Sequence, residues 1–281
     1  MPDLCALSFL KDKRYFISRN SPANWRQIED ENETKNIWDG LRRLNGVNAF
    51  ADAEFYNIAY PGYEGDLKYY FKQAVIGHNL YLGIGTGRIF SEIAQANNEI
   101  EGIDNSQEMV NHFKKAYPNL PNRVWAQNVL HAKLAKNSYD VIIAPYSFVQ
   151  YFNKSDLVRL TKKIYSWLKP GGKFICDTFS PFLIPFRKSG LEVSARIQGD
   201  ALINFFIKYD HFNQIMREVA LITKNGVSQK VLKMTMSYFF PKEILEILQS
   251  VGFVKCGTFG DFKAKNFHPS THEIIVYLGR K

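Results

Sequence analysis

A glycine-rich turn is the part of the sequence whose residue types and spacing could do chemistry. The apolar run Asn79–Leu82 predicts a strand, the glycine run Gly83-Ile-Gly-Thr-Gly87 follows it, and Thr86–Ala96 predicts a helix. Glycines let the backbone turn tightly and let a ligand approach without a Cβ in the way. The helix start adds free amide donors. The pattern therefore predicts a ligand site at the carboxyl end of this strand.

The residue at position 88 separates two classes of cofactor that bind at such turns. The dinucleotide fingerprint needs a small residue three positions after its second glycine. Counted from Gly85, that position holds Arg88, and a large side chain there works against close packing of helix on strand. The Gly-x-Gly-x-Gly spacing fits the other class better than it fits a nicotinamide dinucleotide.

Polar residues follow the next two predicted strands. Asp104 ends the strand Glu99–Ile103, where an acidic side chain can accept both hydroxyls of a ribose. Asn128 follows the strand Arg123–Gln127, and its amide could read the edge of an adenine. Two other readings stay open, because Asp104 could simply cap a helix and Asn128 could be a surface loop residue.

Taken in order, these segments resemble the class I S-adenosylmethionine-dependent methyltransferases. The resemblance covers roughly residues 55 to 281 and rests on Leu82–Ile89, Ile103-Asp104, Tyr139–Ile143 and Leu168–Lys173. It implies an α/β fold, a Rossmann-like and mostly parallel sheet of seven strands whose last strand is antiparallel, with S-adenosylmethionine as cofactor. The implied cofactor contacts are Tyr60, Tyr81, Gly83, Gly85, Thr86, Gly87, Arg88, Asp104, Asn105, Met109, Asn128, Val129 and Pro145.

The sequence departs from the family pattern at two of these positions. The family usually has Asp or Glu where this chain has Tyr81, and that carboxylate anchors the amino group of the cofactor. Tyr81 lacks the charge but its hydroxyl can still accept a hydrogen bond. Asn128 stands where Asp is common, and it keeps an acceptor oxygen without the charge.

The C-terminal part of the chain is similar to a subset of the family that methylates small molecules. The similar segments are Tyr238–Leu245, Ser250–Phe253 and Gly260-Asp261, and enzymes that N-methylate amino sugars and amino acids share this layout. On the acceptor side we expect Tyr146 and Asp177 as catalytic residues and Tyr63 and Tyr151 as substrate-binding residues. Each of these side chains could instead serve packing or capping alone. No residue spacing resembles a metal site.

The order of predicted elements suggests four segments. Residues 1–52 form an N-terminal helical cap, with a helix start at Ser21-Pro22 and helical spacing over Trp25–Leu44. Residues 53–190 form the cofactor-binding core. Residues 191–238 form an antiparallel lid insertion, because short strands alternate with turn signals such as Gly199-Asp200. Residues 239–281 complete the core sheet.

Composition limits the remaining alternatives. The chain has 281 residues and a net charge of +9, which on its own could indicate binding to nucleic acid. Its basic residues are dispersed, so nucleic acid is the less favoured partner and stays open as an alternative. No apolar run reaches the length of a membrane span, and a cytoplasmic protein is expected. The sequence thus predicts a methyltransferase for a small-molecule acceptor, methylated at nitrogen, with a homodimer left open. The alternatives are an RNA or protein methyltransferase, or a non-catalytic binding protein of the same fold.

Overall fold

The structure is a computed structural model that describes residues 26–28, 30–97, 99–120, 123–184, 191–225 and 227–281. Its strands are β1 (Arg26–Ile28), β2 (Val47–Asn48), β3 (Asn79–Leu82), β4 (Ile100–Asp104), β5 (Val124–Ala126), β6 (Tyr139–Ala144), β7 (Leu168–Phe179), β8 (Leu191–Gln198), β9 (Ala201–Asp210), β10 (Ile215–Lys224), β11 (Val227–Ser237), β12 (Val254–Phe259) and β13 (Ile274–Arg280). Its α-helices are α1 (Glu31–Arg43), α2 (Ala53–Ala59), α3 (Asp66–Ala74), α4 (Arg88–Ala96), α5 (Gln107–Ala116), α6 (Lys154–Trp167) and α7 (Pro241–Val251).

The described residues fall into two compact units. The first lies within residues 1–61 and 185–236, and the second lies within residues 62–184 and 237–281. The sequence treats the N-terminal cap and the inserted strands as separate segments, whereas the structure places their described residues in one unit. The expected helix start at Ser21-Pro22 lies outside the described residues.

The second unit is built on a seven-stranded sheet with the order β12-β13-β7-β6-β3-β4-β5. Strand β13 runs antiparallel to β7 and β12 runs antiparallel to β13, while β7, β6, β3, β4 and β5 pair in parallel. All four residues of β3 are buried, as expected for a strand covered on both faces. Helices cover both faces of this sheet. The predicted fold class, with its antiparallel last strand, is confirmed.

Helix ends in the second unit follow local capping chemistry. Ser106 caps α5, because its Oγ accepts from the N–H of Met109 at 3.2 Å. Asn153, and not the nearby Ser155, caps α6. Helix α6 starts at Lys154, because the side chain of Asn153 accepts from the N–H of Asp156 at 2.9 Å.

The first unit is a six-stranded sheet with the order β1-β8-β9-β10-β11-β2. Strand β9 pairs antiparallel with β8 and with β10, as the turn signals predict, and the short β2 pairs in parallel with β11. Helix α1 places Ile37 and Leu41 in one apolar cluster with Leu191, Val193 and Phe206 of the sheet. The helix predicted over Trp25–Leu44 begins later, at Glu31, where Asp30 caps it. Ile28 lies in strand β1 instead.

Candidate functional site

The three glycines between β3 and α4 have different structural reasons. All three have positive φ, at +72° for Gly83, +55° for Gly85 and +92° for Gly87. A Cβ at Gly83 would collide with the ring of Phe148, and a Cβ at Gly87 would collide with the ring of Phe113. A Cβ at Gly85 would meet no atom within 4 Å among the described residues. Packing therefore explains two of the glycines, and Gly85 is the position that leaves open space beside the turn.

Asp104 holds the glycine turn from the end of the neighbouring strand β4. Its Oδ2 accepts from the N–H of Gly85 at 2.8 Å, and its Oδ1 accepts from the N–H of Ser106 at 2.8 Å. Burial raises the pKa of this carboxyl, and the backbone donors partly oppose that rise. A carboxylate has about four lone-pair sites, so the oxygens of Asp104 retain capacity for ligand hydroxyls.

Arg88 joins the first turn of α4 to the first residue of α3 through an ion pair. Its Nη1 donates to Oδ1 of Asp66 at 3.0 Å and its Nη2 donates to Oδ2. Asp66, which is buried, also accepts from the N–H of Tyr63 at 3.0 Å. The guanidinium lies so close to Gly62 that a Cβ there would collide with it. Arg88 occupies the position that a dinucleotide fingerprint reserves for a small residue, and here it is an ion-pair partner.

Tyr81, which stands where the family usually has an acid, is buried in the apolar layer under the turn. Its ring meets that of Phe90 edge-on, with centroids 5.8 Å apart. Burial is the largest cause of the raised pKa of its hydroxyl, and the charges of Arg88 and Asp66 act on it in opposite directions. Tyr81 is therefore a neutral phenol beside the Arg88–Asp66 pair.

Asp177, expected on the acceptor side, is fully buried and accepts three hydrogen bonds. Its Oδ2 accepts from the hydroxyl of Tyr70 at 2.6 Å and from the N–H of Tyr146 at 2.8 Å, and its Oδ1 accepts from the N–H of Ser147 at 2.9 Å. Burial raises its pKa to about 6, against the effect of these donors. Tyr146 and Ser147 have φ values of +58° and +59°, an uncommon conformation for residues with a side chain. Asp177 thus holds a strained loop at the end of β6.

Aromatic side chains gather at this same loop. The ring of Tyr63 lies 4.8 Å from that of Tyr146 and 6.2 Å from that of Phe262, between centroids. The hydroxyl of Tyr63 lies 3.3 Å from the Oγ of Ser147. The structure therefore brings together the predicted residues Tyr63, Tyr146 and Asp177. Tyr151 is partly buried in the short 3₁₀ helix Phe148–Tyr151 that continues this loop.

The remaining predicted cofactor residues lie in varied environments. Asn128 is partly buried and accepts from the N–H of Leu130 at 2.9 Å, which is a local turn bond. Thr86, Met109, Val129 and Pro145 are buried, and Asn105 is exposed. Tyr60 belongs to the first unit, where its hydroxyl donates to Oε1 of Glu218 at 2.6 Å.

Two residues with functional character were missed by the sequence reasoning. Tyr70 lies on the buried face of α3, and nothing in the sequence links it to Asp177. Glu218 is buried in β10, and burial raises its pKa to about 7. A signal for Glu218 existed, because it shares the alternation phase of Ala220 and Ile222, where a strand normally places apolar side chains.

Across the described ranges, no group of three or more His, Cys, Asp or Glu side chains could hold a metal ion. None of the helices described here is long and apolar enough to cross a membrane.

Comparison with known proteins finds a family match in the central part of the chain. Residues 80–172 match the family model of a methyltransferase domain. This segment contains β3, the glycine turn, Asp104 and β6. No curated protein matches the chain significantly.

Solved structures share the fold over most of the chain. The CcbJ methyltransferase from Streptomyces caelestis is 20% identical, with a TM-score of 0.73 over 83% of this chain and 98% of that one. CalS10 from Micromonospora echinaspora, an amino pentose methyltransferase solved with S-adenosylmethionine bound, is 14% identical, with a TM-score of 0.59 over 80% and 96%. The sugar N-methyltransferase KedS8 from Streptoalloteichus sp. is 12% identical, with a TM-score of 0.55 over 94% and 98%.

Proposed function

We propose that this chain, an S-adenosylmethionine-dependent methyltransferase by its domain and its fold, methylates a nitrogen atom of a small-molecule acceptor. The observation that carries the proposal is the state of Asp177. This carboxylate lies near the end of β7, where a catalytic residue on the acceptor side was expected, and three donors already engage it. A hydroxyl acceptor would need a base, whereas a neutral amine needs none.

The cofactor site is proposed at the open face of the glycine turn. The space beside Gly85 suits a ligand that approaches the backbone, and the free acceptor capacity of Asp104 suits a vicinal diol. S-adenosylmethionine supplies, when bound, a methyl group already activated by its sulfonium. Gly83 and Gly87 shape the turn through packing, and Arg88 acts indirectly by holding Asp66. Thr86, Asn105, Met109, Asn128, Val129, Pro145, Tyr60 and Tyr81 stay proposals as cofactor neighbours.

The acceptor is proposed to bind at the aromatic cluster of Tyr63, Tyr146 and Phe262. Aromatic faces pack against apolar ring faces of a small molecule, and they also favour the positive charge that develops on the amine as the methyl group is transferred. The work of the protein is then to orient the amine and to exclude water, because an in-line displacement depends on position. Tyr146 and Tyr63 serve as positioning groups in this proposal, and Tyr151 lines the same loop. Two compared proteins, an amino pentose methyltransferase and a sugar N-methyltransferase, point to amines as the first acceptors to test.

The cap and the lid expected from the sequence, whose described residues lie in the antiparallel unit, remain a proposal. In this unit Glu218, which is buried, accepts a hydrogen bond from Tyr60, which is partly buried. The core boundaries at residues 53 and 190 and the lid boundaries at 191 and 238 remain part of the same proposal.

Two measurements in series test the proposed function. Calorimetric titration with S-adenosylmethionine, with NAD as control ligand, should show binding of the first compound only. Amino sugars and amino acids are then incubated with the protein and cofactor, and formation of S-adenosylhomocysteine is measured. Methylation of an amine at nitrogen, located by mass spectrometry and NMR, is the expected result. Methylation of RNA or protein alone, or absence of cofactor binding, would overturn the proposal.

A further inference from the structure

Two buried polar groups on segments joined by a hydrogen bond have no hydrogen-bond partner among the described residues. The Nε2 atom of Gln150 and the Oγ atom of Ser180 make no hydrogen bond within the part of the chain that the structure describes. Gln150 is 0% exposed and Ser180 is 3% exposed. Buried polar side chains nearly always have a partner, since an unpaired one lowers stability. Two such groups in one place need an explanation.

Both groups stand where strands of the parallel sheet end. Gln150 lies in the 3₁₀ helix after β6, which begins at Phe148, the residue packed against Gly83. Ser180 follows Phe179, the last residue of β7. The Oε1 of Gln150 accepts from the N–H of Phe179 at 3.2 Å and so joins the two segments. The unpaired groups therefore belong to the same end of the sheet as Tyr146 and Asp177.

The hydrogen bond from Phe179 fixes which atom of the Gln150 amide is which. A backbone N–H can only donate, so the atom that faces it is the oxygen, and the unpaired atom is the nitrogen. The amide thus presents N–H donors, and the Ser180 hydroxyl can donate or accept. An oxygen atom of a ligand would satisfy both groups.

The surroundings favour an uncharged oxygen. The segments Phe148–Phe152 and Thr178–Ile184 contain no Lys, Arg or His. Burying a carboxylate beside them would leave its charge without a cation, which is far more costly than burying a hydroxyl. A hydroxyl group can accept from the Gln150 amide and donate to Ser180, or accept from both.

We propose that Gln150 and Ser180 bind a hydroxyl group of the methyl acceptor, so that the acceptor is a hydroxylated amine. The inference rests on the proposed function and adds the chemistry that the acceptor must carry besides its amine. Gln150 and Ser180 are specificity residues, and they take no part in the transfer of the methyl group.

The test combines an acceptor arm with an arm that needs no acceptor. In the first, the best amino sugar is compared with analogues that each lack one hydroxyl, in the wild-type protein and in Ser180→Ala. Removal of one particular hydroxyl should raise KM about tenfold with little change in kcat. A tenfold change corresponds to the loss of one neutral hydrogen bond. The same removal should raise KM by a smaller factor in Ser180→Ala, where the Gln150 amide is the one remaining partner of that hydroxyl. Gln150→Glu, which keeps the acceptor for Phe179 but replaces the amide nitrogen, should raise KM for every hydroxylated amine.

In the second arm, urea unfolding of Ser180→Ala is compared with that of the wild-type protein without ligand. The midpoint should stay the same or rise, because the variant removes an unpaired hydroxyl. Thr161→Val is the matched control, since the buried Thr161 hydroxyl donates to the carbonyl of Leu157 at 2.7 Å and its loss should lower the midpoint. A fall in Ser180→Ala as large as in the control would mean that buried water already pairs with Ser180 and would overturn the inference.

The two arms separate this inference from the proposed function. If amines are methylated but every deoxy analogue is as good as its parent, the inference fails and the proposed function stands. The same conclusion follows if Ser180→Ala weakens the binding of an amino acid through its carboxylate and leaves the binding of hydroxylated amines unchanged. If no amine is methylated while the cofactor binds, the proposed function fails. The unfolding comparison then still decides whether the Ser180 hydroxyl lacks a hydrogen-bond partner in the protein without ligand.

Discussion

Replacing Asp177 by Asn should change how stability depends on pH. The folded protein gives Asp177 a pKa of about 6, whereas an aspartate in an unfolded chain titrates near 3.9. A raised folded pKa means that the folded state binds the proton more tightly. The stabilising contribution of the protonated group is therefore fully present below about pH 4 and is lost as the pH rises through 6.

The size of the effect follows from this difference in pKa. A difference of about two pKa units corresponds to about 3 kcal/mol at 1.36 kcal/mol per unit. The amide that replaces the carboxyl cannot ionise, so the variant lacks this loss. Between pH 4 and pH 7 the free energy of unfolding of the variant should rise by about 3 kcal/mol relative to the wild-type protein.

The same substitution should loosen the loop that Asp177 holds. An Asn side chain offers one acceptor oxygen where the carboxylate offers two, so an amide N–H₂ must face one of the backbone donors of Tyr146 and Ser147. That donor loses its partner, and the left-handed pair loses part of what holds it. We therefore expect a variant that is more stable at pH 7 but slower in methyl transfer. Such a trade-off between stability and activity is common where function requires a group that destabilises the fold.

Urea unfolding from pH 4 to pH 8 measures the first effect, and amide hydrogen exchange of the segment 141–152 measures the second. Asp200→Asn is the matched control, because this aspartate lies on an exposed hairpin and its side chain is 61% exposed. Its stability curve should run parallel to that of the wild-type protein. A parallel curve for Asp177→Asn, together with unchanged exchange of the loop, would refute the reasoning.

Three further substitutions have expected outcomes. Gly85→Val should weaken S-adenosylmethionine binding at least 100-fold in calorimetry, because the side chain fills the open space of the turn and φ is +55°. Asp104→Asn should weaken the same binding about tenfold or more, because hydrogen bonds to a charged acceptor are worth roughly 1.5–3 kcal/mol. Glu218→Gln should flatten the loss of stability between about pH 4.5 and 8, because Glu218 has a folded pKa of about 7 against roughly 4.3 unfolded.

Each of these has a control that shares its local feature. Gly199→Val carries the same backbone strain, at φ +58° with open space around it, and should leave cofactor affinity unchanged. Asp200→Asn should likewise leave affinity unchanged. Tyr60→Phe removes the donor that lowers the pKa of Glu218, so it should move the pH-dependent loss to higher pH. Equal affinity for Gly85→Val and wild type would remove the glycine turn from the cofactor site, and a Glu218→Gln curve parallel to wild type would contradict the buried charge.

The parts of the fold that the sequence predicts are those that local patterns determine. Strand β3, the turn at Gly83 and the end of β4 at Asp104 follow from apolar runs and glycine spacing, and all three are found. The exact start of α6 does not follow from local patterns, because Asn153 and Ser155 are both good caps and only the backbone geometry selects between them. Helix α1 was predicted too long because Ile28 fits a helical period but pairs with Leu191 across the chain.

The candidate site was less predictable because its bonds join distant elements. Asp177 was identified from its place at a strand end, but its donors come from α3 and from the loop after β6. The predicted list also contained Arg88, whose partner Asp66 lies in another helix. Gln150 carries no sequence signal, since its importance comes from what it fails to bond.

The pairing of β1 with β8 has a consequence for folding during synthesis on the ribosome. Ile28 pairs with Leu191, so the first strand of the antiparallel sheet must wait for its neighbour through the synthesis of most of the chain. At 5–20 residues per second this delay is on the order of ten to thirty seconds. During that time the apolar face of α1, with Ile37, Trp38 and Leu41, has no sheet to cover it. In the nascent chain this apolar face is therefore exposed and available to a chaperone that binds amphipathic helices. Slower translation would prolong the exposure.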